Sequence, residues 1–250
     1  LSAGYHCYLS CVNDTEEPDA VEQGFRDLAS RRVEGVLLLG RCFHDHQALE
    51  PEVSKYLPDK PVILVNQTQP PRRENIYAIG ASESRGIRRC VELLVRRGRS
   101  RLLLIIDRRR TSAPQLQQTF EEALTMYGCD ITGHTVTDVP YRGTDGEQIA
   151  EEIMKQCPDV DGIMCTHDRI AINVIYALQG LGREVPRDVS VIGEDNSELC
   201  KICRPKLTSL DTMIRKITLL SAETILNSLE GRPCARSVSL EMEVYHRDSV

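Results

Sequence analysis

The residues of this sequence best placed to do chemistry are Glu194, Asp195 and Asn196. They follow Val189, Val191 and Ile192, a β-branched run that suits a buried strand and breaks at Gly193. Two acids and an amide thus stand at the carboxyl end of a strand, the edge at which open α/β sheets take their ligands. Asp195 there either accepts hydrogen bonds from a ligand or caps the segment that starts near Ser197. Arg108, Arg109 and Arg110 follow another apolar run, and either grip an anionic group or form a solvated basic loop. Cys200 and Cys203 have redox spacing without a thioredoxin-like context and read as ordinary thiols. Cys42, His44 and His46 are soft-ligand types without a second pair, so no metal is assigned. There is no nucleophile elbow, P-loop or metalloprotease motif; no catalytic residue and no cofactor is assigned, and the chain reads as a non-enzyme.

The elements that must position these residues alternate along the chain. Tyr5 to Val12 alternates as a strand, and Asp14 to Glu17 opens a helix with its stripe at Val21, Phe25 and Leu28. Val33 to Leu39 is a continuous apolar run, too short for a helix, and predicts a buried parallel strand. Helix Leu49 to Leu57, strand Lys60 to Val65, and helix Ser82 to Arg97 ended by Gly98 follow. The rhythm continues through Arg101 to Ile106, Pro114 to Tyr127, Gly133 to Val139, Asp145 to Gln156, Gly162 to Cys165 and Asp168 to Leu181. After Pro205, Leu-Thr-Ser-Leu reads as a short crossing strand. Strands alternating with helices imply an α/β fold with parallel sheets.

At 250 residues the chain is long enough for one large domain or two lobes. Its formal charge of −6 argues against a nucleic-acid platform, which needs a positive surface. The ten cysteines form no paired framework and read as free thiols of a reducing cell. No apolar run reaches the ~20 residues of a membrane span, and the first residues lack a basic region and cleavage site, so a cytoplasmic location is expected.

One long ordered pattern goes further. Val185, Pro186, Asp188, Val189, Ser190, Val191, Gly193, Asp195 and Asn196, then Pro205, Leu207, Thr208 and Ser209, resemble the signature of the lac-repressor (LacI/GalR) family of transcription regulators. The Leu28 to Leu39 block, Pro61 to Asn66, Gly86 to Gly98, Phe120 to Gly128, Asp161 to Leu178 and the terminal Arg247-Asp248-Ser249-Val250 fall in the family's order. The resemblance implies two Rossmann-like lobes of periplasmic-binding-protein type, joined by three crossover strands near Ile79 to Ser82, Leu207 to Met213 and Arg236 to Leu240. The lobes would be residues 1–80 with 213–237, and 81–212 with 238–250. Leu1-Ser-Ala-Gly-Tyr aligns inside the end of the family's first core helix, which places the family's first strand and its helix-turn-helix headpiece outside this chain.

The resemblance also implies a small-molecule effector, a sugar, sugar phosphate or sugar acid, held between the lobes. Asp195 matches the family's ligand carboxylate, and Asn66 stands where the family often has Asp, although it can equally cap a turn. His167 replaces the Asn of the family's Asn-Asp pair, and Asp168 caps the helix that follows. Tyr141 falls where the family tends to place a stacking aromatic, with a surface tyrosine as the alternative. Leu116 replaces the family's sugar-binding arginine, and Arg110 is the candidate to restore that charge. The expected function is the effector-sensing, homodimerising core of a DNA-binding regulator, with dimer contacts near Val53 to Tyr56 and DNA contact only through the headpiece. The alternatives are a sugar-binding protein of a transporter and a cleft enzyme.

Overall fold

The computed structural model describes residues 4–12, 19–40, 43, 46–106, 112–129, 136–138, 149, 151, 153–155 and 157–250. In chain order the elements are α1 (Ala20–Ser30), β1 (Val36–Leu38), α2 (His46–Tyr56), β2 (Val62–Val65), β3 (Ile76–Ala81), α3 (Glu83–Arg96), β4 (Leu102–Ile106), α4 (Ala113–Met126), β5 (Val136–Asp138), β6 (Gly162–Cys165), α5 (Asp168–Gly180), β7 (Ser190–Glu194), α6 (Leu199–Ile202), β8 (Thr208–Asp211), α7 (Ile214–Leu229), β9 (Ser237–Leu240) and β10 (Glu243–Tyr245). The chain divides into two compact units, Leu1–Gly80 with Lys216–Ser239 and Ala81–Arg215 with Leu240–Val250, so the backbone passes between them three times.

The first unit carries a sheet of order β1-β2-β3-β9, in which β1, β2 and β3 run parallel. Val36, Leu38, Val62, Leu64 and Ile76 pack with Phe25 of α1 and Leu49, Val53 and Leu57 of α2 or its end. The alternation of β1 fails to bury its other face: Leu37 is 38% and Leu39 54% exposed. The buried parallel strand expected at Val33 to Leu39 forms over Val36–Leu38 and pairs in parallel with β2, but its burial is corrected to one face, since among the described residues nothing covers Leu37. Tyr5 to Val12 is not a strand either; it lies exposed and unpaired in the backbone ladder, since alternation alone makes no strand without a neighbour. In the stretch Val53 to Tyr56, Val53 is fully buried in this core while Ser54 and Lys55 are exposed.

The second unit positions the candidate site. Its sheet has the order β10-β8-β7-β6-β4-β5, parallel except for β10, which runs antiparallel to β8. Successive strand residues point to opposite faces. Leu103 and Ile105 therefore join Ile163, Cys165, Val191 and the stripe Ile170, Val174 and Leu178 of α5 on one side. Leu102, Leu104 and Ile106 join Met164, Ile192 and Leu210 with Ile87, Cys90 and Leu94 of α3 and Leu116, Phe120 and Leu124 of α4 on the other. Both faces being covered explains why these strands read as unbroken apolar runs. The Leu-Thr-Ser-Leu segment contributes to β8, which pairs on both sides within this sheet, and the chain passes to the first unit shortly after it.

Candidate functional site

In the second unit the carboxyl ends of β6 and β7 lie side by side, in the register Met164 to Ile192. β6 leads through Thr166 to His167 and α5, while β7 leads to Asp195 and Asn196. His167 is extended, with φ −157° and ψ 138°, and its Nδ1 stands 3.3 Å from Asp195 Oδ2. The Asp195 side chain is 45% and that of His167 24% accessible, so the pair is presented to solvent without being loose on it. Two of the five expected site residues are thereby brought together.

The turn holding Asp195 is strained and fastened. Asp195 has φ 112° and Asn196 φ 49°, a left-handed region that costs a non-glycine residue about 1–3 kcal/mol. The amide of Asp195 donates to the Leu210 carbonyl at 2.9 Å, and that of Asn196 to Ser209 Oγ at 3.0 Å. Asn196 Nδ2 donates to Asp211 at 3.0 Å, and its Oδ1 accepts from Arg247 at 2.5 Å. Arg247 also donates to the Leu207 carbonyl at 2.7 Å. Ser249 Oγ ties β7 to β8, donating to Val191 O at 2.6 Å and accepting from Thr208 N at 2.8 Å.

Asp168 completes the mounting. It opens α5 but does not cap that helix; its buried carboxylate accepts from Ser209 Oγ at 2.6 Å and from the Ser197 amide at 2.7 Å. The expected cap is thus corrected to a brace between α5 and the 195–197 turn. The macrodipole at the start of a helix favours an acid in this place. Gly193 makes the room, because a Cβ there would strike Asp168 Oδ1 and Leu207 Cδ2. The capping alternative for Asp195 is not what the chain adopts: α6 begins after Glu198 without a side-chain cap, and the Ser197 amide is taken by Asp168.

Asn66 ends β2 of the first unit with φ 63°, exposed, its amide donating to Ile79 O at 2.8 Å. Arg110 and Tyr141 lie outside the described residues, as do Cys42 and His44. Leu116 is buried in the core beneath α4 with 1% of its surface exposed, so it faces packing rather than a ligand. Thr166 escaped the sequence reading: its hydroxyl, buried beside this edge, has no hydrogen-bond partner among the described residues. Only its place after an apolar strand and before His167 signalled it. Cys200 and Cys203 are free thiols; burial first, and Asp168 next, push Cys200 up to about 12, which keeps it a thiol. Among the described residues no group of three or more His, Cys, Asp or Glu can hold a metal ion. A cavity of about 390 Å³ in the first unit, lined by Glu34, Asp59, Glu74 and Tyr77, lies at the amino ends of the strands, the wrong edge for a ligand of such a sheet.

Residues 91–250 match the model of the periplasmic binding protein-like domain. The chain belongs to that family. An HTH-type transcriptional regulator of Lachnoclostridium phytofermentans is 24% identical over 246 residues, 98% of this chain and 72% of the relative. The solved transcription regulator GntR of Chromobacterium violaceum aligns with a TM-score of 0.84 at 22% identity, over 99% of this chain and 89% of its own. The complex of the transcriptional regulator CelR with cellobiose aligns at 0.77 with 22% identity, over 94% of this chain and 71% of its own. These relatives carry the names of transcription regulators, not of transporter components or enzymes. No helix among the described residues is long and apolar enough to cross a membrane.

Proposed function

We propose that this chain is the effector-sensing core of a LacI/GalR regulator and binds a small hydroxylated molecule, a sugar or sugar derivative, at the edge where β6 and β7 end. One observation carries this reading: an accessible carboxylate, Asp195, beside His167, on a strained turn held by ligand-independent bonds. Strain of this kind persists where its surroundings enforce it, and it clusters at ligand clamps. An ionised carboxylate accepts several hydroxyl hydrogens at once, as recognition of a sugar requires. The CelR relative in complex with cellobiose supports the ligand class. Asn66, Arg110 and Tyr141 are carried forward as further effector contacts.

The effector would act by preferring one of two states of the protein, since a ligand shifts an equilibrium only by its differential affinity. A coupling of about 1–3 kcal/mol would change operator affinity by about 5- to 150-fold. DNA contact is assigned to a helix-turn-helix head of the kind for which the HTH-type relatives are named, acting in the cytoplasm. The test is a thermal-shift screen against neutral sugars, sugar phosphates and sugar acids, since a ligand of the native state alone raises apparent stability. At least one class should stabilise the chain, and Asp195→Ala should remove the shift with the unliganded midpoint unchanged. A shift that survives Asp195→Ala removes this residue from the site.

A further inference from the structure

Thr166 stands just inside His167 at the end of β6, as Glu194 stands just inside Asp195 at the end of the neighbouring β7. We infer that the Thr166 hydroxyl is a specificity contact of the effector site, unpaired in the free chain and bonded to one particular hydroxyl of the bound sugar. This rests on the effector reading of Asp195 given above.

Thr166 is an exception among the buried hydroxyls described. Thr119 donates to the Gln115 carbonyl, Ser190 accepts from Arg99, and Thr208 accepts from the Arg247 amide. Ser209 donates to Asp168, Ser221 to the Ile217 carbonyl and Ser249 to that of Val191. Three buried side-chain polar atoms lack a hydrogen-bond partner among the described residues, and two of them, Glu52 Oε2 and Arg88 Nε, belong to residues that are partly exposed. Arg88 is also paired with Glu122 through Nη2. Thr166, with 0% of its surface exposed, has no such outlet. A buried polar atom without a partner is uncommon in folded proteins and calls for a reason. Valine carries the same β-branch and would follow Ile163, Met164 and Cys165 without that cost.

The hydroxyl lies on a definite side of the sheet. The Thr166 amide donates to the Ile105 carbonyl at 3.0 Å and so continues the pairing of β6 with β4 beyond Met164. Alternation then puts Thr166 on the Met164 face, the one covered by α3 and α4. Glu194 follows Ile192 on that same face; burial first, and Glu194 next, push the Cys90 thiol of α3 up. α4 meets this face with Ala113, Leu116 and Phe120, none of which can satisfy a hydroxyl.

A hydroxyl in such dry surroundings rewards a ligand that brings a hydroxyl to it and penalises one that does not, because the buried atom then stays unpaired. An exposed threonine would turn to water instead and discriminate little. Full burial also means that the contact forms as this edge opens to admit the molecule, so the bond belongs to the filled state alone.

The test is calorimetric titration of the purified chain with matched hexoses, hexuronates, aldonates and hexose 6-phosphates, then with the monodeoxy analogues of the member that binds. Thr166→Val and Thr166→Ser are titrated beside the unmodified chain. One monodeoxy analogue should bind the unmodified chain about tenfold more weakly than its parent. Thr166→Val should bind that analogue and the parent alike, so that the two deletions do not add, whereas Thr166→Ser should keep the discrimination. Without ligand, Thr166→Val should melt about 2–4 °C higher, because a methyl replaces an unpaired hydroxyl. A midpoint that fails to rise would show that the hydroxyl already has a partner, such as an ordered water, in the free chain. Additive losses for every analogue would show that it does not meet the ligand. Either result overturns the assignment while leaving Asp195 as the effector carboxylate. Failure of every class to bind would remove the effector reading itself, and this contact with it.

Discussion

Asp168 shows how a residue outside the proposed ligand contacts would govern them. Its carboxylate reaches from α5 to the Ser197 amide and the Ser209 hydroxyl, and that hydroxyl in turn accepts from the Asn196 amide. Hydrogen bonds to a charged group contribute about 1.5–3 kcal/mol each, so Asp168→Ala should lower stability by about 3 kcal/mol in urea unfolding. Effector affinity should fall with it, because the turn loses its brace; intact affinity would show that the bonds to Leu210, Ser209, Asp211 and Arg247 hold the turn without Asp168. This role was only half legible in the sequence. An acid at a helix start predicts a cap, whereas the partners that it holds lie 29 and 41 residues away and are set by tertiary structure. Asp195 was more legible, since strand ends of an α/β sheet are marked by composition, but its contact with His167 came only from the parallel pairing of β6 with β7.

At the scale of elements, the parallel strands and their helices were readable because burial on both faces writes an unbroken apolar run. β1 and the Tyr5 to Val12 segment were not, because sequence cannot say whether a strand has neighbours. In the same unit, α1 and α2 are joined by Glu22, which accepts from Lys55 at 2.8 Å and from Tyr56 at 2.5 Å. Lys55 first, and Tyr56 next, hold the Glu22 carboxyl down at about 2, against an ordinary 4.5. A depressed acid stabilises the fold above its unfolded value and ceases to do so on protonation. The link between α1 and α2 is therefore complete above about pH 4.5 and lost as the pH falls towards 2. Because the group is exposed, the contribution is small and salt-sensitive. Carboxyl NMR titration should place Glu22 well below other glutamates, and Lys55→Met should raise it part of the way, because Tyr56 and Arg26 still hold it down.

At the scale of the molecule, the regulator proposed above is expected to act as a homodimer, and the described surface offers apolar groups for such a contact. Tyr176 of α5 and Leu199 and Ile202 of α6 are exposed, Ile202 at 71%, on elements linked by the Gln179 amide at the Arg204 carbonyl. Large exposed apolar groups gathered on neighbouring elements mark interaction sites. Light scattering should report a dimer, and Ile202→Glu should shift it towards monomer without loss of helical signal; an unshifted dimer would place the contact on another face.

The stitching of β7 and β8 by Arg247 and Ser249 also has a meaning in time. Arg247 is 51 residues downstream of the Asn196 that it holds, and Ser249 is 58 beyond Val191. A ribosome that has released all of β7 has still not released the side chains that fix its tip. Competence to capture a ligand must then arrive late in translation, well after the strand that presents Asp195 has been made.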